Sequence, residues 1–155
     1  MSTNPLRLDR LDDLTRARYV LLRTHRRDGT AVDTPIWFAV EVGTVVFRTK
    51  IGPKTTRLTA RPDVELTPCD HRGRVRASAQ THRGTATILS EGEAAQANRL
   101  LQRRYGWQWN VIPLLKVPGV TNVHRDLSLG EKLRRARARD VWPDSVIVRV
   151  RLTED

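Results

Sequence analysis

The stretch Tyr19–Val40, YVLLRTHRRDGTAVDTPIWFAV, decides the fold class. It opens with YVLLRT, a compact apolar run of strand length ending near Thr24. Asp28-Gly29 follows, a dipeptide that supplies the positive φ angles of a tight hairpin. The return strand is predicted over Ala31–Val40. Gly43 marks the next turn, and Thr44–Thr49, TVVFRT, is a third strand rich in β-formers. Three strands joined by short turns predict an antiparallel meander. Within the return strand, Pro35 deletes a ladder donor and so implies an edge or a bulge. Trp37 and Phe38 lie beside it. An edge backbone with a flat aromatic wall can receive a planar ring, and packing of Trp37 and Phe38 into a core is the competing reading.

On the N-terminal side, Leu8, Leu11 and Leu14 fall at a spacing of three and predict a short amphipathic helix over 8–17. On the C-terminal side, Gly52-Pro53 breaks the strand, and proline suits the first turn of a helix predicted over Lys54–Ala60 and stopped before Pro62. Val64–Cys69 is a strand, Asp70–Arg74 (DHRGR) a polar turn, and a strand or hairpin leads to Gly84–Leu89. Ser90 and Glu93 have the spacing of a capping box, opening a helix that runs to Tyr105 and stops at Gly106. Its Ala94, Ala97, Leu101 and Tyr105 share a face. Trp107–Leu115 reads as a second short helix, and 116–143 holds an Arg-rich helical candidate, Ser128–Arg139, before Trp142-Pro143. Ser145–Leu152, SVIVRVRL, closes the chain as an alternating strand. Six or seven strands with helices at intervals predict a mainly β, α+β fold, a small antiparallel barrel, and argue against a parallel α/β sheet.

A length of 155 residues suits one domain spanning 1–155. The single cysteine, Cys69, forms no internal disulfide, and the polar Met-Ser-Thr-Asn-Pro start is not followed by an apolar signal region. No apolar run approaches the roughly 20 residues of a membrane helix. A cytoplasmic protein without a membrane partner is expected. The net charge of +11 favours acidic partners. It is uneven: residues 42–62 carry Arg48, Lys50, Lys54, Arg57 and Arg61 and no acid.

Lys54 and Arg57, three apart at the start of a helix, share a face with the helix N-terminus and the hydroxyls of Thr49 and Thr55. That combination suits a phosphate; a solvated basic helix is the alternative. His25, His71, His82 and His124 have no metal-ligand spacing, and no metal is assigned. Nothing near Cys69 completes a nucleophilic dyad, and no Walker or G-x-S-x-G motif occurs, so no catalytic residue is named. KLRRARAR, Lys132–Arg139, has no interleaved aromatic and reads as a solvated helix face before it reads as a nucleic-acid site.

Read in order, YVLLRTHRRDGTAVDTPIWFAV, VVFRT, KTTR, VELTPCDHRGR, GTA and RYGWQ resemble the pyridoxamine-phosphate-oxidase-like split-barrel superfamily, and more narrowly its PPOX-class F420-dependent branch. The resemblance covers about residues 15–110 and resumes at 145–152. It implies an FMN-binding-like split β-barrel with flanking helices, a homodimer with the cofactor in a groove between two barrels, and coenzyme F420 as the cofactor, with FMN the alternative. By the same resemblance, Lys54 and Arg57 hold the cofactor phosphate, Thr49 assists, and Thr34, Pro35, Ile36 and Trp37 line the deazaflavin ring. The family's serine-glycine pair before the lysine is Gly52-Pro53 here, which removes a hydroxyl and an N–H donor; Lys50 is an additional cation beside it. Segment 116–143 reads as an insertion. The implied activity is an F420-dependent reductase passing a hydride to a small organic acceptor. An FMN-binding oxidoreductase of the same superfamily and a non-enzymatic cofactor- or nucleic-acid-binding protein are the other readings.

Overall fold

The computed structural model describes residues 13–41, 43–106, 109, 128–137 and 141–153. Seven strands form one sheet: β1 (Tyr19–His25), β2 (Ala31–Ile36), β3 (Ala39–Glu41), β4 (Thr44–Lys50), β5 (Asp63–Cys69), β6 (His82–Ile88) and β7 (Ser145–Leu152). Among the described residues, three helices of eight residues or more accompany them: α1 (Pro53–Ala60), α2 (Glu91–Tyr105) and α3 (Leu129–Arg137). The strand order is β2-β1-β5-β6-β7-β4-β3, and every pairing is antiparallel.

This order corrects the meander. β1 and β2 form the expected hairpin, but β2 and β3 lie at opposite ends of the sheet. Only Trp37 and Phe38 separate them in sequence, so the two ends stand within about 10 Å of each other. A seven-stranded sheet whose ends are this close is curled into a barrel split at one seam. The return strand predicted over Ala31–Val40 is therefore two strands. Its break is set by a distant residue: the Phe38 N–H is given to the Tyr105 hydroxyl at 3.0 Å instead of to a neighbouring strand. That hydroxyl lies 2.7 Å from the Phe38 carbonyl and 3.1 Å from the Arg18 carbonyl, so its single proton serves one of them at a time. Burial pushes the phenol pKa upward and keeps that proton in place.

Two apolar clusters explain the continuous buried runs at Val45–Phe47 and Ile147–Val148. The barrel interior holds Val20, Leu22, Ile36, Phe38, Val45, Phe47, Leu66, Val148 and Val150, plugged by Leu58 of α1 and by Leu14. The outer face of β3, β4 and β7 is covered by α2, where Ala94, Ala97, Leu101 and Tyr105 pack on Ala39, Val46 and Ile147. Strands buried on both faces lose alternation and read as unbroken apolar stretches. The face assigned to α2 from sequence is the face it buries.

Some local expectations shift. Ser90 is the N-cap of α2, but its hydroxyl donates to the Glu93 carboxylate at 3.2 Å and caps no backbone N–H, so the capping box is not formed. Glu93 is also held by Arg149 at 2.9 Å. At the N-terminal side, Asp13–Arg16 form a helical turn, and the rest of the helix predicted over 8–17, with Leu8 and Leu11, lies outside the described residues, apart from Ala17. The helix predicted over Trp107–Leu115 lies outside them too, except Trp109, which is buried against α2. Of the proposed insertion 116–143, residues 128–137 and 141–143 are described.

Gly84 on β6 faces a close approach. A Cβ there would sit 2.5 Å from Val150 Cγ1 and 2.7 Å from the Arg151 carbonyl oxygen. Gly84→Ala therefore forces apart the β6–β7 pair and is expected to cost about 1–3 kcal/mol of stability by urea unfolding. Wild-type stability in that variant would contradict the close approach.

Candidate functional site

α1 begins where β4 ends. Pro53 occupies its first turn, and Thr55 folds back on Gly52, its hydroxyl accepting the Gly52 N–H at 3.0 Å and donating to the Gly52 carbonyl at 2.7 Å. Thr56 also donates to that carbonyl. The Thr55 hydroxyl, expected as a phosphate donor, is thus spent on starting the helix. Thr49 is buried, with its hydroxyl near the Lys50 carbonyl at 3.5 Å. Lys50 ends β4 opposite Ser145 with its side chain exposed.

The structure brings Lys54 and Arg57 together. Arg57 Nε donates to the hydroxyl of Thr24, a buried residue of β1, at 3.0 Å. Neither cation forms an ion pair with an acid among the described residues. Lys54 is half-buried, and burial first, then the charge of Arg57, pulls its ammonium down to a pKa of about 8. Two cations one turn apart, one of them drawn largely out of water, favour a bound anion. A phosphate is such an anion, and so these residues fit the phosphate end of a flavin-type cofactor.

The residues expected to line the ring lie further along the same strand pair. Thr34, Pro35 and Ile36 stand opposite Leu22, Leu21 and Val20, while Thr24 stands opposite Val32. The four-residue offset places the seam about 13 Å along β1 from the Arg57 contact. Ile36 is a core residue. Trp37 is half-buried and belongs to an aromatic column: it stacks on Tyr105 at 4.6 Å and 8°, with Trp109 at 6.0 Å and Tyr19 at 6.1 Å. Its plane is fixed by packing, and one face is taken by Tyr105. Its indole nitrogen is buried without a hydrogen-bond partner, a state that natural interiors rarely leave uncompensated.

The outer face of β1, β2, β5 and β6 carries a cleft of about 640 Å³ walled by Leu21, Val75, Thr67 and an ionic network. Arg23 grips Asp33 at 2.8 Å and holds its carboxyl below the usual range, and Glu65 stands 3.8 Å from Arg23 and 3.6 Å from Arg83. Nothing in the sequence singled out these four charges.

A second cluster was also missed. Arg48 lies between the rings of Trp109 at 3.9 Å and Trp142 at 4.2 Å and donates to the Trp109 carbonyl at 2.7 Å. Burial first, then Arg135, pulls its guanidinium down to about 9, against the opposing effect of Asp144. On the far side Arg135 reaches Asp144 at 2.7 Å and Glu131 at 3.2 Å, and its carbonyl accepts the Trp142 indole N–H at 3.1 Å. The Arg-rich segment is therefore pinned to the barrel by a buried arginine.

Among the described residues the histidines form no shared site: His82 Nε2 lies 3.1 Å from Asp13 and His25 faces the Asp63 carbonyl, while His124 is outside the described residues. No cluster of three or more metal-ligating side chains occurs among the described residues. Burial, with Asp70, raises the Cys69 thiol to about 11, leaving it protonated at neutral pH. No helix among the described residues is long and apolar enough to cross a membrane.

This architecture is a split β-barrel, a fold it shares with several solved structures. An F420 reductase shares it at 23% identity and a TM-score of 0.55, covering 92% of both chains. So does a pyridoxamine 5'-phosphate oxidase-related FMN-binding protein of Nostoc punctiforme, at 18% identity and a TM-score of 0.60 over 97% of this chain and 82% of the other. HutZ, the heme storage protein of Vibrio cholerae, is similar at 11% identity and a TM-score of 0.61, over 100% and 93%. No family model and no curated protein matches the sequence.

Proposed function

We propose that the chain binds a flavin-type cofactor, coenzyme F420 first and FMN second, and works as an oxidoreductase on a small organic acceptor. The observation that carries this reading is the unpaired, desolvated Lys54 one turn from Arg57 at the start of α1. Solved structures of the same fold include an F420 reductase and an FMN-binding protein, which supports the choice of cofactor class. The charge of +11 favours F420, whose phosphodiester and polyglutamate tail are multiply anionic.

In this reading Lys54 and Arg57 hold the phosphate, Thr24 orients the Arg57 guanidinium, and the exposed Lys50 adds positive potential at the mouth. Thr49, which is buried, shapes the site more than it donates to it. Thr34, Pro35, Ile36 and Trp37 supply the wall at the seam, with Trp37 held in plane by Tyr105. The bound cofactor supplies the hydride chemistry, and the protein supplies orientation and water exclusion. A homodimer with the groove between two barrels belongs to the same proposal, the charged cleft on β1, β2, β5 and β6 being the candidate face.

The test follows from Lys54. A bound anion favours the charged ammonium, so above pH 8 binding must take up a proton. Affinity for F420 is expected to be flat below about pH 7 and to fall by up to about tenfold per pH unit above 8. Lys54→Arg, charged throughout, should bind with no such fall. A wild-type profile that stays flat through pH 9 would remove Lys54 from the site.

A further inference from the structure

The helix α3 is turned inside out. Glu131 and Arg135, one turn apart, face the barrel, where Arg135 is 7% exposed and bonded to Asp144. At about 100° per residue the opposite face carries Leu129, Leu133 and Arg137, with Lys132 and Arg134, the latter paired to Glu131 at 3.1 Å, on either flank of Leu133. Leu129 is 74% and Leu133 51% exposed. Ile51, 56% exposed, directly follows β4 at the same corner: its N–H bonds the carbonyl of Asp144, the residue that holds Arg135. Three of the five exposed large apolar side chains among the described residues thus sit on α3 or directly after β4, joined to its anchor.

We propose that this outward face of α3 docks on an anionic lipid surface. Leucines on a narrow stripe with Lys and Arg at its flanks are the arrangement by which a helix lies in a membrane interface, the apolar side chains entering and the cations meeting headgroups. Nucleic acid would use the cations and leave the leucines without a role. A second copy would need roughly 800 Å² from each partner, far more than two leucines provide. The salt-bridged inner face holds the helix rigid, so binding does not have to pay for ordering it. The expectation of no membrane partner rested on the lack of a spanning segment, which surface docking does not require.

The test is flotation of the whole protein with vesicles of phosphatidylcholine alone and of phosphatidylcholine with phosphatidylglycerol, in about 0.15 M salt. Wild type is expected to float with the anionic vesicles only. Leu129→Gln with Leu133→Gln should reduce flotation at least tenfold with unchanged unfolding, because both side chains are exposed. Arg26→Gln with Arg27→Gln removes two charges from the β1–β2 turn and should leave flotation intact. Absence of wild-type flotation overturns the proposal. So does a leucine variant that floats like wild type, the result expected if only net charge were involved. F420 binding plays no part in this readout, so it stands or falls separately from the proposed function.

Discussion

Trp142→Ala is expected to lower stability by about 3–5 kcal/mol, seen as a shift of roughly 1–3 M in the urea midpoint. Trp142 is buried with the Arg48 guanidinium over its ring at 4.2 Å and that of Arg135 at 5.2 Å. Removing the ring opens a void and leaves two like charges facing each other across it. It also removes the donor to the Arg135 carbonyl. Leu133→Gln, on the exposed side of the same segment, is the control and should leave the midpoint in place. An unchanged midpoint in Trp142→Ala would mean that the arginine–tryptophan cluster does not hold α3.

The second large effect concerns binding. Lys54→Ala with Arg57→Ala is expected to weaken F420 binding by at least tenfold, at about 1.4 kcal/mol per decade. Arg26→Ala with Arg27→Ala lowers the net charge from +11 by the same two charges, away from α1, and should change affinity less than threefold in moderate salt. Equal losses in the two double variants would show that diffuse positive charge, and not the α1 site, attracts the cofactor. Because Leu58 anchors α1 in the core and neither mutated side chain does, both proteins should unfold with wild-type midpoints.

The parts of the fold fixed by local chemistry were legible. Asp28-Gly29 marked the β1–β2 hairpin, and Gly29 has the positive φ the turn requires. Pro53 marked the start of α1, and the alternation of SVIVRVRL marked β7. Strand order was not legible, because β5 pairs with β1 and β7 with β4 across long loops, contacts that no short-range pattern encodes. The break after Ile36 depends on the hydroxyl of Tyr105, 67 residues from Phe38.

The site divides in the same way. Lys54 and Arg57 were readable because helical spacing alone puts them on one face. Trp37 was readable as either wall or core, and its stacking on Tyr105 shows a large core component. Arg48 and Arg135 were counted only as surface charge. A buried arginine is recognised by its partners, here Trp109, Trp142 and Asp144, and those come together only in the folded chain.

The most direct test of the cofactor reading is a titration of the purified protein with F420 and, separately, with FMN, followed by tryptophan quenching at low and moderate salt. The account predicts F420 binding with a dissociation constant of about 1–10 µM, weaker FMN binding, and weakening of both with salt. Tight FMN binding with weak F420 binding would make FMN the cofactor in place of F420, and binding of neither would contradict the cofactor site at α1.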